Sequence, residues 1–253
     1  MNEPRERPKL PEVTLVAVTS VALGPTVQAL HASMQQAEFG EVLLLSDVPP
    51  PEDARAGISW RRIERLASRA DYSRFMLQEL ADHVQTSHAL CIQWDGFVVD
   101  GRRWEAQFLD YDYIGAVWPQ FDDGYNVGNG GFSLRSRWLL EACRELPFED
   151  SDAEDIHICR TCRPRLEQQG IRFADEAVAR RFSFERTAPT GVEFGFHGAF
   201  NLVGLLGPNE ARSLFRDLEA QVLTPGEHRQ LLRWALSRGR FGLALTMAAR
   251  LLR

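Results

Sequence analysis

Four groups of residues in this chain combine side chains and spacings suited to chemistry. Asp95 stands in "CIQWDGF", just beyond an apolar run. "NVGNGGFSLRS", Asn126 to Ser136, crowds three glycines and two asparagines against another apolar run. "AEDIHICR" sets Glu154 and Asp155 ahead of a helical apolar pattern, and "FGFHG" places His197 among aromatic residues. Carboxylates and imidazoles are common proton acceptors, and glycine lets a neighbour approach the backbone closely. Each group also has a plain structural reading. An Asp after a strand serves as a turn or cap residue, and a glycine-rich loop can be a simple hairpin. An acidic pair at a helix start complements the helix dipole, and a histidine among aromatics can be packed and hydrogen-bonded.

The surrounding elements decide where these groups stand. "VTLVAVTS" (13–20) is β-branched and nearly continuously apolar, which predicts a buried strand. A helix opens at Gly24-Pro25 and runs through "TVQALHASMQQA". "EVLLLSD" (41–47) then predicts a second buried strand. Strand, helix, strand at this spacing is a βαβ unit and implies a parallel sheet. "DYSRFMLQELADHVQ" (71–85) has helical periodicity with Asp71 as its cap, and "HALCIQ" (88–93) is a further strand. Asp95 therefore falls at the carboxyl edge of the sheet, where open α/β folds bind ligands. Thr19 and Ser20, Asp47, and Tyr72 with Arg74 should converge on the same crevice.

Downstream, "GGFSL" is a short strand and "RWLLEACREL" a helix. "DSDAEDIHICRTC" opens another helix, capped by Ser151 or Asp152, which Pro164 should break or kink. "IRFAD" resembles a short strand. "TPGEHRQLLRWALSR" begins with Thr224, Pro225 and Glu227, a capping box. The expected organisation is an N-terminal extension (1–12), an α/β domain (13–207) and a C-terminal helical segment (208–253).

The net charge of −6 argues against general nucleic-acid binding. "MNEPRERPKLPE" has no apolar export core, and no apolar run reaches membrane-spanning length, so a cytoplasmic location is expected. The lone "CRTC" is a weak zinc signal, and free thiols are the better reading of Cys91, Cys143, Cys159 and Cys162. From His228 onward the chain carries six arginines and no acidic residue. One face of these helices could rest on an anionic membrane, with the inner membrane face as a peripheral location. Helices packed on the main domain are the commoner outcome for such a pattern.

Taken in order, "QWDGF", "VGNGGFSLRS", "AEDIHICR" and "FGFHG" resemble the GT-A glycosyltransferases. The strings "YDYIGAVW", "GNGGFSLRS", "EDIHICR" and "FGFHG" are also similar to a bacterial family of domains of unknown function described as glycosyltransferase-like. The resemblance covers about residues 13 to 200. It implies a Rossmann-like, mostly parallel mixed sheet flanked by helices, a nucleotide-sugar donor and a glycan or glycoconjugate acceptor, as in polysaccharide biosynthesis. It further implies a metal pair at Asp95 and His197 for Mn²⁺ or Mg²⁺, and a glycine loop, Asn129, Gly130 and Gly131, against the substrate. It makes Asp155 the general base of an inverting transfer. The family's D-x-D motif is reduced here to Gln93-Trp94-Asp95, which leaves metal dependence open. In "FEDSDAED", Glu149-Asp150 also matches the acidic pair as letters. Asp155 is preferred because Ile156, Ile158 and Cys159 begin the helical pattern directly after it. Two other readings are a nucleotidyltransferase, weakened because "TSVALGPT" has no basic residue, and a binding module of the same fold without catalysis.

Overall fold

The computed structural model describes residues 7–148, 153–219 and 222–251. Its centre is a six-stranded mixed sheet. In chain order the first elements are β1 (Lys9–Thr19), α1 (Leu23–Gln36), β2 (Glu38–Ser46), β3 (Ser59–Arg62), α2 (Arg69–Gln78), α3 (Leu80–His83) and β4 (His88–Ile92). Next come β5 (Phe97–Val98), β6 (Tyr113–Ile114), β7 (Ala116–Val117), β8 (Val127–Gly128) and β9 (Phe132–Ser136). The strand order is β3-β2-β1-β4-β9-β6. The first four strands run parallel, while β9 is antiparallel to both β4 and β6.

Continuous apolar strands bury both faces. Leu15, Ala17, Leu44, Leu90 and Ile92 meet α1 through Val27 and Leu30 on one side. Val16, Val18, Leu43, Leu45 and Cys91 meet Phe75, Met76 and Leu80 on the other. The chain leaves β1 toward neighbours on opposite sides, β2 and β4, so the strand order reverses there. Ligand crevices form at that point in such sheets.

Several expectations shift. β1 begins at Lys9 rather than Val13, because Lys9 and Leu10 pair with Glu38 and Phe39. The helix expected over 71–85 is two helices, α2 and α3. The break sends Leu77 into one core and Leu80, Ala81 and Val84 into another. Its cap is Ser68, which accepts from Asp71 N at 3.0 Å, and Asp71 instead accepts from Ala67 N at 3.1 Å. "IRFAD" forms no strand and makes a single bridge, Phe173 to Tyr113.

After α4 (Arg137–Cys143), a short α5 (Glu154–Ile156) passes into a π-helical turn, His157–Thr161, and then α6 (Arg163–Gln168). Pro164 sits in the first turn of α6, where its missing N–H costs little, so it starts a new helix after the wide turn. The residue before α5 is Ala153, whose side chain caps nothing, while Ser151 and Asp152 lie outside the described residues. α7 (Glu176–Phe182) leads to β10 (Ser183–Phe184) and then β11 (Gly195–Phe196). The last two pair in parallel, and β11 pairs antiparallel with β5.

The C-terminal helices are α8 (Ala199–Leu205), α9 (Pro208–Asp217), α10 (Pro225–Ser237) and α11 (Phe241–Leu251). The capping box forms: Thr224 Oγ1 accepts from Glu227 N, and Glu227 Oε2 accepts from Thr224 N at 2.7 Å. Phe215, Leu231, Ala235, Leu243 and Met247 build a core that also takes in Ala22 and Trp94. Arg240 donates to Val203 O at 2.6 Å, and Arg250 donates to Phe215 O and Glu219 O at 3.1 and 3.0 Å. These two arginines of the basic tail thus tie helices together. No helix among the described residues is long and apolar enough to cross a membrane. None of the four cysteines forms a disulfide, and all four are buried.

Candidate functional site

The short sheet β10-β11-β5 gathers three titratable residues from distant parts of the chain. "FSFE" (182–185) and "FGFH" (194–197) lie side by side, with Ser183 opposite Gly195 and Phe184 opposite Phe196. Glu185 and His197 therefore leave the same end of neighbouring strands. β5 runs antiparallel to β11 with Phe97 opposite Phe196, so the turn before it brings Asp95 alongside. Gly198 N donates to Asp95 O at 3.0 Å, and Asn201 Nδ2 donates to His197 O at 2.7 Å and Glu185 O at 2.8 Å.

His197 stands between two carboxylates. Its Nε2 is 3.2 Å from Asp95 Oδ1, and its Nδ1 is 3.5 Å from Glu185 Oε1. Burial alone would lower the imidazolium pKa, but Asp95, and then Glu185, raise it to about 10. Burial would raise the Glu185 carboxyl, yet the His197 contact holds it below its ordinary value. Asp95 Oδ1 and both His197 nitrogens are buried without a well-aligned hydrogen bond.

The same atoms suit a divalent cation in part. Two cis ligands of an octahedral ion at about 2.1 Å lie about 3 Å apart, close to the separation of Asp95 Oδ1 and His197 Nε2. Hard cations often take one or two protein ligands and complete their shell with substrate phosphates and water. Glu185 faces the other ring nitrogen, so it orients the imidazole rather than joining the pair. Among the described residues, no group of three or more His, Cys, Asp or Glu is arranged around one point to hold a metal.

The glycine loop links this cluster to the acidic helix start. A Cβ on Gly131 would lie 2.1 Å from His197 Nε2, and one on Gly130 would lie 2.0 Å from Glu154 Oε1. Gly128 is likewise filled by the Trp118 ring. These glycines therefore make room for the protein's own side chains. Gly130 N donates to Asp155 Oδ2 at 3.1 Å, and Ile156 N donates to Asp155 Oδ1 at 2.8 Å. Asn129 is buried in the left-handed region at φ 81°, where non-glycine residues are uncommon. Its Oδ1 accepts from Gly131 N at 3.0 Å, while its Nδ2 makes no hydrogen bond among the described residues.

Beneath the loop lies a buried ion pair that the sequence reading did not single out. Arg135 Nη2 is 2.9 Å from Glu154 Oε1, with both side chains buried. Arg135 Nε donates to Ser133 Oγ at 3.0 Å, and Nη2 lies 3.5 Å from Gly130 O. Burial first, and Asp155 second, raise the Glu154 carboxyl pKa, with Arg135 opposing them. The only sequence signal for this pair was an arginine inside the otherwise apolar and small strand "FSLRS". Glu185 had a signal as well, the repeated string of Phe, any residue, Phe and then a titratable group.

The remaining expected residues divide. Tyr72 faces the site: its hydroxyl accepts from Gln93 Nε2 at 3.0 Å. Burial, and then the Glu154 charge, hold its phenol above the ordinary value. Arg74, two positions along α2 and so on the opposite side of the helix, is exposed and lies 4.0 Å from Asp71. It is not gathered with Tyr72. Thr19 Oγ1 accepts from Val21 N at 3.1 Å, and Ser20 Oγ from Leu66 N at 2.9 Å. Asp47, just after β2, has a buried Oδ1 with no hydrogen-bond partner among the described residues. Glu149 and Asp150, the competing acidic pair, lie outside the described residues. A cavity of about 610 Å³ between the start of α1 and α9 with its flanking residues is not lined by Asp95, His197 or Asp155.

No curated protein matches the chain. Among solved structures, the apo form of the glycosyltransferase GlyE from Streptococcus pneumoniae TIGR4 is similar with a TM-score of 0.46 and 14% identity. The match covers 73% of this chain and 53% of that one, so the chain spans about half the length of that protein. Residues 58–197, more than half of the chain, match the family described as "Protein of unknown function (DUF5672)". That span carries Asp95, the glycine loop, Asp155, Glu185 and His197, and the chain belongs to this family.

Proposed function

We propose that the chain is a GT-A type glycosyltransferase that moves a sugar from a nucleotide-sugar to a carbohydrate or glycoconjugate acceptor with inversion at the anomeric carbon. One observation carries this reading. Two consecutive loop residues touch both halves of the site, Gly131 against His197 of the cation-suited pair and Gly130 N on the Asp155 carboxylate. In this reading the two halves supply one substrate with a group for the leaving diphosphate and a proton acceptor.

In this reading Asp155 accepts the acceptor hydroxyl proton as that oxygen bonds to the anomeric carbon and the bond to the diphosphate breaks. Both carboxylate oxygens are held by backbone N–H groups, which fix the base while leaving lone pairs for the proton. Asp95 and His197 would hold Mn²⁺ or Mg²⁺, and such a cation, when bound, neutralises charge on the departing diphosphate. Glu185 and Asn201 keep the His197 ring and its backbone in place. In this reading Thr19, Ser20, Asp47 and Tyr72 would contact the nucleotide, and Asn129 the sugar. A binding module without catalysis is the second reading, favoured by the closed contact among Asp95, His197 and Glu185.

Calorimetry with UDP, GDP, CDP and dTDP, each with and without Mn²⁺, tests the donor half. At least one diphosphate should bind, and more tightly with Mn²⁺. If none binds at millimolar concentration, the glycosyltransferase reading loses its main support.

A further inference from the structure

The geometry points to a further positioning device: Arg135 and Glu154 form a buried clamp that sets the distance between the glycine loop and Asp155. The inference rests on the proposed transfer reaction for its catalytic meaning, but its structural output can be read without it. Glu154 is the residue just before Asp155, and its carboxylate occupies the space that a side chain on Gly130 would need. Arg135 pairs with that carboxylate and reaches toward Gly130 O. The loop carbonyl and the helix start are thus drawn toward one guanidinium, and the resulting approach is sealed by the bond from Gly130 N to Asp155 Oδ2.

A fully buried ion pair is a costly way to hold two segments together, since apolar residues of similar volume often stabilise as well or better. The planar fork of arginine explains the choice of cation here. It serves Glu154 through Nη2 and Ser133 through Nε at once, which a lysine ammonium cannot do in one geometry. The Tyr113 ring lies beside the guanidinium, its centroid 5.7 Å from Arg135 Cζ. Arg135 and Glu154 touch no reacting atom in this scheme. They act through Asp155 and the loop.

The test compares three variants of the full chain. Arg135→Met with Glu154→Met replaces the pair by apolar volume. Arg135→Lys keeps the charge pair but loses the fork, and Glu154→Gln keeps an acceptor oxygen for Arg135. Two readouts are taken: hydrogen exchange of the Gly130 amide by NMR, and steady-state kinetics with the donor found by calorimetry. The double variant and Arg135→Lys should lose protection at Gly130. In both, kcat should fall at least ~10-fold with donor KM nearly unchanged, in line with the cost of small misplacements of catalytic groups. Glu154→Gln should retain much of both. Wild-type exchange and kcat in a folded double variant would overturn the inference. If the double variant does not fold, wild-type values in Arg135→Lys overturn it equally. Should the native chain transfer no sugar at all, the proposed function fails while the Gly130 amide still decides the clamp.

Discussion

Gly130→Ala puts a single methyl group against the best-defined contact in the site. Gly130 does not occupy the left-handed region, so alanine adds no backbone strain there, and the effect is steric. The new Cβ would lie 2.0 Å from Glu154 Oε1, 2.9 Å from its Cδ and 3.3 Å from Arg135 Nη2, where ordinary contacts begin at 3.4 Å. The carboxylate would have to retreat by more than 1 Å, which the 2.9 Å pair to Arg135 cannot absorb. Breaking a buried pair by deleting one partner costs about 3–5 kcal/mol. Here both charges remain and can relax, so that range is a ceiling. At about 2–4 °C per kcal/mol for a chain of this size, the melting temperature should fall by up to roughly 6–20 °C. Thermal unfolding followed by circular dichroism reads this directly. The control is Gly204→Ala in α8, where no atom lies within 4 Å of the added methyl. It should be neutral or stabilising by about 0.5–1 kcal/mol. A Gly130→Ala protein that melts with the native chain would refute the steric account of the loop.

Three further outcomes follow from the same geometry. Asp95→Asn and His197→Ala should each weaken Mn²⁺-dependent binding of a nucleoside diphosphate, read by calorimetry, and full activity in excess chelator would contradict the metal pair. Asp155→Ala should leave donor affinity nearly unchanged while kcat falls by about 10²–10⁴-fold, the usual scale for a positioned general base. Near-normal turnover in that variant, with an inactive Asp150→Ala, would move the base to the upstream acidic pair. In flotation with anionic liposomes the protein should stay unbound, because Arg240 and Arg250 are tied to backbone carbonyls. Co-flotation abolished by serine at the exposed Phe241 and Leu245 would show a membrane face instead.

The strands of the parallel sheet were legible because burial on both faces writes continuous apolar runs such as "VTLVAVTS" and "EVLLLSD". The edge position of Asp95 followed from them. The capping box at Thr224 was legible because all its partners lie within four residues. What could not be read was set by contacts between distant segments. The split at Glu79 depends on which core receives Leu77 and which receives Leu80. "IRFAD" has strand-like composition, yet its backbone bonds to Asp112 and Tyr113 leave only a bridge. The pairing of Arg135 with Glu154 and of Glu185 with His197 joins residues that no local pattern connects. The glycines of the loop are positions of close approach, and the approaching groups are Glu154, His197 and Trp118, which no local pattern names.

Release of nucleoside diphosphate from a panel of nucleotide-sugars, compared between the native chain and Asp155→Ala, measures the central claim most directly. The account predicts slow release from at least one donor by the native protein, accelerated by a suitable acceptor, and loss of that acceleration in Asp155→Ala. Product NMR on the transferred sugar should show the inverted anomer. No release from any donor, or an acceptor-dependent rate equal in the two proteins, would contradict it.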